Sequence, residues 1–359
     1  MKNKRLLAVL AAVTLSVSAF VSCGGGESSS SEAESSSAEV TENTSSAAEK
    51  SSAAETQSSE PSEDSKPDTE VSGETSDITP AMWTVTSPEG ATMTMLGSMH
   101  ALSDEDYPLP DVITDAFNAA DILAVECDTE EASSLSYQTA LLKAMSYDDG
   151  TTLKDHISEE AYSALDSYLG TYGLTVDAFA SYKPWAVANT VETMPILYSG
   201  LSADLGIDNY LISQAKENGK EIYEVESVDF QMDLIMNFSE EYYDLSFRAM
   251  AEETKDTQLD AFMELYEIWR TGDTEGLEKM FESDDVNGIE LTDEEYAVIE
   301  DYNDQMLYDR NIGMEKAIKE LLADNKNVFY VVGAAHYIGE GGIIDLLEKD
   351  GYTVERVEY

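Results

Sequence analysis

Two of the three histidines in this 359-residue sequence occupy the same local pattern. His100 and His336 each end a Gly-x-x-His tetrapeptide, and each tetrapeptide follows an apolar run that predicts a strand. In α/β sheets, ligands bind beyond the carboxyl ends of the strands, where glycine allows a close approach. Imidazole is the commonest side chain for metal binding and for proton transfer near neutral pH. The pattern indicates one site containing both histidines, although turn histidines that satisfy backbone groups would give the same local sequence.

Two carboxylates are placed in a similar way. Glu126 and Glu226 each follow a predicted strand, and a buried carboxylate must be paired, metal-bound or protonated. Two histidines with one or two carboxylates can bind a divalent metal, and a remaining carboxylate can activate water. A helix N-cap or a salt bridge at the sheet edge is the alternative for each glutamate.

The third histidine and the internal cysteine are predicted to lie outside this chemistry. His156 stands near a predicted helix start and is expected at the surface. Cys127 directly follows Glu126, so on a strand the two side chains point to opposite faces. Nothing in the sequence lowers the pKa of the Cys127 thiol, and we expect a core residue rather than a nucleophile.

The elements that would position these residues alternate in type. Strands are predicted at 83–87, 91–96, 122–125, 221–225, 327–332 and 352–357, and helices at 110–120, 207–218 and 342–349. Most of residues 130–200 and 229–323 has helical spacing of leucine and tyrosine. This order predicts an α/β fold with a mainly parallel central sheet, strand-helix units at both ends of the domain and a large helical insertion or lid.

The N-terminus is typical of an exported lipoprotein. Lys2, Lys4 and Arg5 precede an apolar stretch from Leu6 to Val21, so residues 1–22 predict a signal peptide. A small residue precedes Cys23, as in a lipobox, which predicts lipidation of Cys23. An ordinary secretory signal with a stray cysteine is the alternative. The protein is then expected to be lipid-anchored on the extracytoplasmic face of the cell membrane.

Residues 23–80 are predicted to be a disordered tether, and residues 81–359 the folded domain. The tether is rich in Ser, Glu, Ala and Thr, and it lacks the apolar residues that could offset the entropy of ordering. The tether has fourteen acidic residues and two lysines, and the signal peptide has three basic residues. Of the total net charge of −53, the folded domain therefore carries −44. So acidic a protein is not expected to bind nucleic acid.

From about Trp83 to Val357 the sequence resembles the TraB/GumN family, which includes the Tiki proteases. The motifs that carry the resemblance occur in the family's order: Leu96-Gly97-Ser98-Met99-His100-Ala101-Leu102, Asp121 to Asp128, Lys183-Pro184-Trp185, Gly206-Ile207-Asp208, Glu224-Val225-Glu226-Ser227, Asp309-Arg310-Asn311-Ile312-Gly313-Met314, and Val332-Gly333-Ala334-Ala335-His336. The resemblance implies a fold related to the erythromycin-esterase and haem-binding ChaN-like proteins. Cys127 stands where an aliphatic residue is more usual.

The resemblance also implies a site and an activity. Carried over by position, the metal ligands are His100, His336 and Glu226. Glu126 is the general base or a further ligand. Arg310 pairs with a carboxylate, and Asn311 is a nearby hydrogen-bonding residue. The implied function is an extracytoplasmic metal-dependent hydrolase, a peptidase acting on a peptide or protein with Mn, Co or Zn. The alternative is a non-catalytic binding protein that sequesters a pheromone-like peptide or haem.

Overall fold

The computed structural model describes residues 75–281, 291–324 and 326–359. The predicted signal peptide, Cys23 and most of the predicted tether lie outside the described residues. Within the described ranges, no helix is both long enough and apolar enough to cross a membrane.

Six strands form one mixed sheet. They are β1 (Met82–Thr86), β2 (Thr92–Ser98), β3 (Ile122–Val125), β4 (Glu221–Glu224), β5 (Val328–Gly333) and β6 (Thr353–Arg356). Their order across the sheet is β4-β3-β5-β2-β1-β6. The four strands from β4 to β2 are parallel, whereas β1 pairs antiparallel with both β2 and β6. The prediction of a mainly parallel α/β sheet is confirmed.

The helices lie between and around these strands. They are α1 (Asp111–Ala119), α2 (Leu135–Ala144), α3 (Glu159–Thr171), α4 (Pro184–Ser199), α5 (Ile207–Asn218), α6 (Val228–Met236), α7 (Glu240–Ala249), α8 (Lys255–Thr271), α9 (Thr274–Phe281), α10 (Asp293–Asn303), α11 (Asp309–Ala323) and α12 (Ile343–Lys349). A π-helical turn, Asp304–Tyr308, joins α10 to α11. The predicted helical insertion therefore has two parts, α2–α4 between β3 and α5, and α6–α11 between β4 and β5.

The inner strands of the sheet are buried on both faces. Alternate residues of β3 enter different apolar clusters, with Leu123 and Val125 on one face and Ile122 and Ala124 on the other. Most of the insertion helices cover the first face, and α11 and α12 cover the second. Every residue of β3 and β5 is buried, which explains why their sequences are continuous apolar runs rather than alternating ones.

The folded part begins a few residues before the predicted boundary at residue 81. Ile78 is buried in the larger apolar cluster, with 2% of its surface exposed. The Thr79 N–H donates to the Arg270 carbonyl at 2.7 Å, and the Ser76 N–H donates to the Pro108 carbonyl at 3.0 Å. The end of the predicted tether, residues 76–80, therefore belongs to the domain. One isoleucine in a polar stretch is too weak a sequence signal to predict this.

The register brings four strand ends to one edge. Ser98 at the end of β2 pairs with Gly333 at the end of β5. Beyond β3 and β4 the parallel pairing continues, because the Glu226 N–H donates to the Glu126 carbonyl at 2.8 Å. The chain segments that carry the two histidines and the two glutamates thus leave the sheet side by side.

Candidate functional site

His100, His336 and Glu126 meet beside Gly333. The Gly333 N–H donates to Glu126 Oε1 at 2.7 Å, and His336 Nε2 lies 3.9 Å from the same oxygen. A Cβ on Gly333 would lie 3.1 Å from Glu126 Oε1 and 3.8 Å from His100 Nε2. Because Gly333, the glycine of the second Gly-x-x-His pattern, has no side chain, these three side chains can approach one another beside it.

Arg310 binds both glutamates. Its Nε and Nη2 donate to the two oxygens of Glu226 at 2.8 Å, and Nη2 also donates to Glu126 Oε2 at 2.8 Å. Burial opposes charge on Arg310, but the two carboxylates outweigh it and raise the arginine pKa further. Burial likewise raises the pKa of Glu126, but the Arg310 guanidinium outweighs it and holds that pKa well below its usual range. The family resemblance implied a carboxylate partner for Arg310, and in the structure its partners are two carboxylates of the protein itself.

The π-helical turn ends two residues before this arginine. Arg310 Nη1 donates to the carbonyl of Met306, inside the turn, at 3.3 Å. Single π turns interrupt helices frequently at functional sites. Here the turn lies between α10 and the Arg310-Asn311 pair, and both of those side chains are buried at the site.

Asn311 orients His336. Asn311 Nδ2 donates to the Gly341 carbonyl at 3.0 Å, so its Oδ1 is the atom that faces His336 Nδ1 at 2.7 Å. That oxygen is an acceptor, and His336 Nδ1 therefore carries the proton. Burial, and then the nearby Arg310 charge, lower the pKa of His336 to about 3. The ring is neutral at ordinary pH, with Nε2 as its basic nitrogen.

Asp208, which was not predicted as a site residue, orients His100 in the same way. Asp208 Oδ2 lies 2.6 Å from His100 Nδ1. Burial lowers the pKa of His100, but Asp208 outweighs burial and raises it to about 8. The motif Gly206-Ile207-Asp208 was visible in the sequence. One sequence alone does not show that the start of α5 meets the end of β2.

Gln231 is the second site residue that the sequence did not reveal. Its Nε2 donates to Glu126 Oε2 at 3.0 Å and to Glu226 Oε2 at 2.8 Å. The side chain is buried on α6, within an otherwise ordinary helical pattern. No sequence signal separates it from a core-facing polar residue.

His156 and Cys127 occupy the settings that the sequence predicted for them. The His156 ring stacks on Tyr147, with ring centroids 4.2 Å apart, and its nitrogens contact Glu240 and Thr151 on a partly exposed surface. Cys127 is buried, and burial followed by the charge of Glu126 raises its thiol pKa far above the usual range. A thiol in that environment is a poor nucleophile.

The two site histidines and Glu126 offer donor atoms of the kinds that divalent cations bind. Nδ1 of each site histidine faces an acceptor, an arrangement that in metal sites presents Nε2 as the ligand atom. Glu126 Oε1 adds a carboxylate oxygen beside them. Over the described ranges, no group of three or more His, Cys, Asp and Glu side chains is spaced as a metal cluster. Both oxygens of Glu226 accept from Arg310, and metal binding by Glu226 stays a prediction.

Comparison with known proteins agrees with this architecture. The TraB/PrgY/gumN family matches residues 81–356. The uncharacterized protein YbaP of Escherichia coli is 26% identical over 152 residues, which cover 42% of this chain and 54% of YbaP. Metalloprotease TIKI1 of Homo sapiens is 23% identical over 333 residues, 80% of this chain and 63% of TIKI1. Metalloprotease TIKI1 of Danio rerio is 22% identical over 318 residues, 78% of this chain and 63% of that protein.

The chain thus spans less than two thirds of the length of each of these relatives. No solved structure matches it. The family match covers all four strand ends, both Gly-x-x-His patterns and the Arg310-Asn311 pair. The chain belongs to the TraB/PrgY/gumN family.

Proposed function

We propose that this protein is a metal-dependent hydrolase that cleaves a peptide bond in a peptide or protein. The observation that carries the proposal is the convergence of two oriented histidines on one ionised carboxylate, Glu126, at the carboxyl edge of the sheet. Relatives that match most of this chain are named metalloproteases, which supports the same class of reaction.

Each side chain has a distinct part in the proposal. His100 and His336 would hold the cation, and Asp208 and Asn311 keep their rings in position. When bound, a divalent cation lowers the pKa of a water molecule and polarises a carbonyl. Glu126 would accept a proton from that water or serve as a further ligand.

Arg310 makes this role of Glu126 possible. Two carboxylates buried close together cannot both stay ionised without a compensating charge. The guanidinium supplies that charge to Glu126 and Glu226 at once, so Glu126 remains ionised at neutral pH.

The test combines metal content with hydrolysis. Wild type, His100→Ala, His336→Ala and the double variant would be assayed for bound Mn, Co and Zn and for cleavage of a peptide library, with and without chelator. We expect each single variant to lose metal and activity, and the double variant to lose little more, because residues that act as a unit are not additive. His156→Ala should retain both properties, since His156 contacts Glu240 and Thr151 away from the strand ends.

Two results would overturn parts of this proposal. Full wild-type activity in chelator would remove the cation and leave Glu126 with a histidine as direct acid-base catalysts. Metal or haem binding without hydrolysis of any peptide would favour a protein that sequesters its ligand.

We further propose that the domain works outside the cytoplasmic membrane, held there by a lipid on Cys23. The basic start, the apolar stretch and the small residue before Cys23 support this placement. Cys23→Ser should move the protein from the membrane fraction to the soluble or secreted fraction. Unchanged membrane association of that variant would refute the anchor.

A further inference from the structure

The Gln231 side-chain amide donates to one oxygen of each glutamate, Glu126 Oε2 and Glu226 Oε2. Glu126 Oε2 and Glu226 Oε2 each accept from Arg310 Nη2 and from Gln231 Nε2, at 2.8 to 3.0 Å. The two donor nitrogens and the two acceptor oxygens thus form a closed cycle of four hydrogen bonds. Gln231, on α6, supplies the second donor of that cycle. With Oε2 of Glu126 fixed by both donors, Oε1 is the oxygen turned toward Gly333 and His336.

The groups on either side of the Gln231 amide determine which way its NH₂ group and its oxygen point. On one side are two carboxylate oxygens, which only accept hydrogen bonds when ionised, so the NH₂ group must face them. On the other side the Cys127 thiol lies 3.5 Å from Gln231 Oε1, within reach of a sulfur hydrogen bond. A thiol S–H can donate, and a buried amide oxygen requires a donor.

We propose that Gln231 is a positioning residue of this site, and that the Cys127 thiol fixes the orientation of its amide by donating to Oε1. The positioning role rests on the proposed function, whereas the hydrogen bond between Cys127 and Gln231 does not. Cys127 thereby has a part in the site although it never touches substrate or cation. An aliphatic residue at position 127 would leave the buried Gln231 oxygen without this donor.

The hydrogen bond itself can be tested without metal or substrate. The S–H stretch lies in an otherwise empty region of the infrared spectrum and shifts to lower frequency on hydrogen bonding. A difference spectrum of the full chain minus Cys127→Ala isolates this thiol from Cys23. We expect the Cys127 band to move to higher frequency in Gln231→Met. The matched control is Gln214→Met on α5, where the glutamine contacts Glu217 and the band should not move. An unchanged band in Gln231→Met would overturn the proposal.

The positioning role is tested by Zn²⁺ affinity, measured by competition with a chromophoric chelator. Removing an outer hydrogen-bond partner typically weakens metal binding about 10- to 100-fold, and we expect Gln231→Met to do so. Cys127→Val should weaken binding in the same direction, and Cys127→Ser, which keeps a donor, should restore it toward wild type. In hydrolysis, kcat should fall with KM little changed.

The outcomes separate this inference from the proposed function. If Gln231→Met lowers the melting temperature but leaves Zn²⁺ affinity and kcat unchanged, Gln231 is only structural and the inference fails. If wild type neither binds Zn²⁺ nor hydrolyses peptide, the proposed function fails and so does the positioning role, whereas a shifted S–H band would still support the Cys127–Gln231 hydrogen bond.

Discussion

Gly206 lies directly against the backbone of His100. A Cβ on Gly206 would fall 2.4 Å from the His100 carbonyl oxygen, which is closer than real Cβ contacts allow. Next to it, the Ile207 N–H donates to the Met99 carbonyl at 3.1 Å. The start of α5 therefore packs backbone to backbone against the segment that carries His100. This contact places Asp208 next to the His100 imidazole.

Gly206→Ala should therefore destabilise the protein. The obstacle is backbone rather than a flexible side chain, so the helix must shift, at a cost of about 1–3 kcal/mol. The free energy of unfolding would be measured in urea. Gly170→Ala is the control, because Gly170 lies within α3 with no atom near its Cβ position, and alanine there should stabilise by up to about 1 kcal/mol. Equal stability of the two variants would contradict the contact.

The start of the domain gives a second prediction. A chain beginning at Ser76 should unfold like the whole protein, whereas one beginning at Ala81 should lose about 1.5–3 kcal/mol, because it lacks the buried Ile78 side chain. Thermal unfolding of both chains would measure the difference. The point mutant Ile78→Ser in the longer chain should reproduce most of the loss. Identical melting of the two chains would mean that residues 76–80 add nothing.

The strand ends were predictable because their signals are local. An apolar run followed by Gly-x-x-His marks both the strand and the point where His100 or His336 leaves it, and the sheet of parallel strands then brings those points together. The family resemblance added Arg310 and Asn311, which no local pattern would have selected.

The partners of these residues could not be predicted, because each depends on a contact between distant segments. Asp208 reaches His100 across 108 positions, and Gln231 reaches Glu126 across 105. Both lie on helices whose spacing indicates only an apolar face. The sequence likewise gives no register between α11 and the sheet, so it could not show that Arg310 binds Glu126 and Glu226 together.

Asp208→Asn should weaken the site without unfolding it. The variant keeps a side chain of similar size but loses the charge that faces His100 Nδ1. We expect Zn²⁺ affinity to fall about 10- to 100-fold, as for other partners of metal-binding histidines. In the metal-free protein, the pKa of His100, which Asp208 raises to about 8, should fall because burial then dominates. Chelator competition and NMR of the imidazole protons would measure the two effects.

Asp204→Asn is the matched control for that experiment. Asp204 lies four residues earlier, in the short 3-10 helix Ala203–Leu205, and its side chain is exposed. It should leave both the affinity and the His100 pKa unchanged. If Asp208→Asn behaved like this control, the hydrogen bond to His100 would have no part in metal binding.

Arg310→Met should be the most destabilising single change at the site. It leaves Glu126 and Glu226 buried without their positive partner, and breaking a buried ion pair in this way costs about 3–5 kcal/mol. Lys316→Met is the control, because Lys316 pairs with Glu320 on the exposed side of α11, where such pairs contribute about 0–1 kcal/mol. Urea unfolding at pH 7 in chelator would compare the two losses.

The loss in Arg310→Met should also depend on pH with a definite sign. In wild type the pKa of Glu126 is held below its ordinary value, so its ionisation contributes stability above about pH 4.5 that is lost as the pH falls further. Without the guanidinium, burial raises the carboxyl pKa. Protonation of the carboxylates then removes the cost of their buried charge, so the variant's free energy of unfolding rises as the pH falls from 7. The gap in unfolding free energy between wild type and variant should therefore narrow from pH 7 to pH 5. A constant gap would show that the lost stability comes from packing of the arginine side chain rather than from its charge.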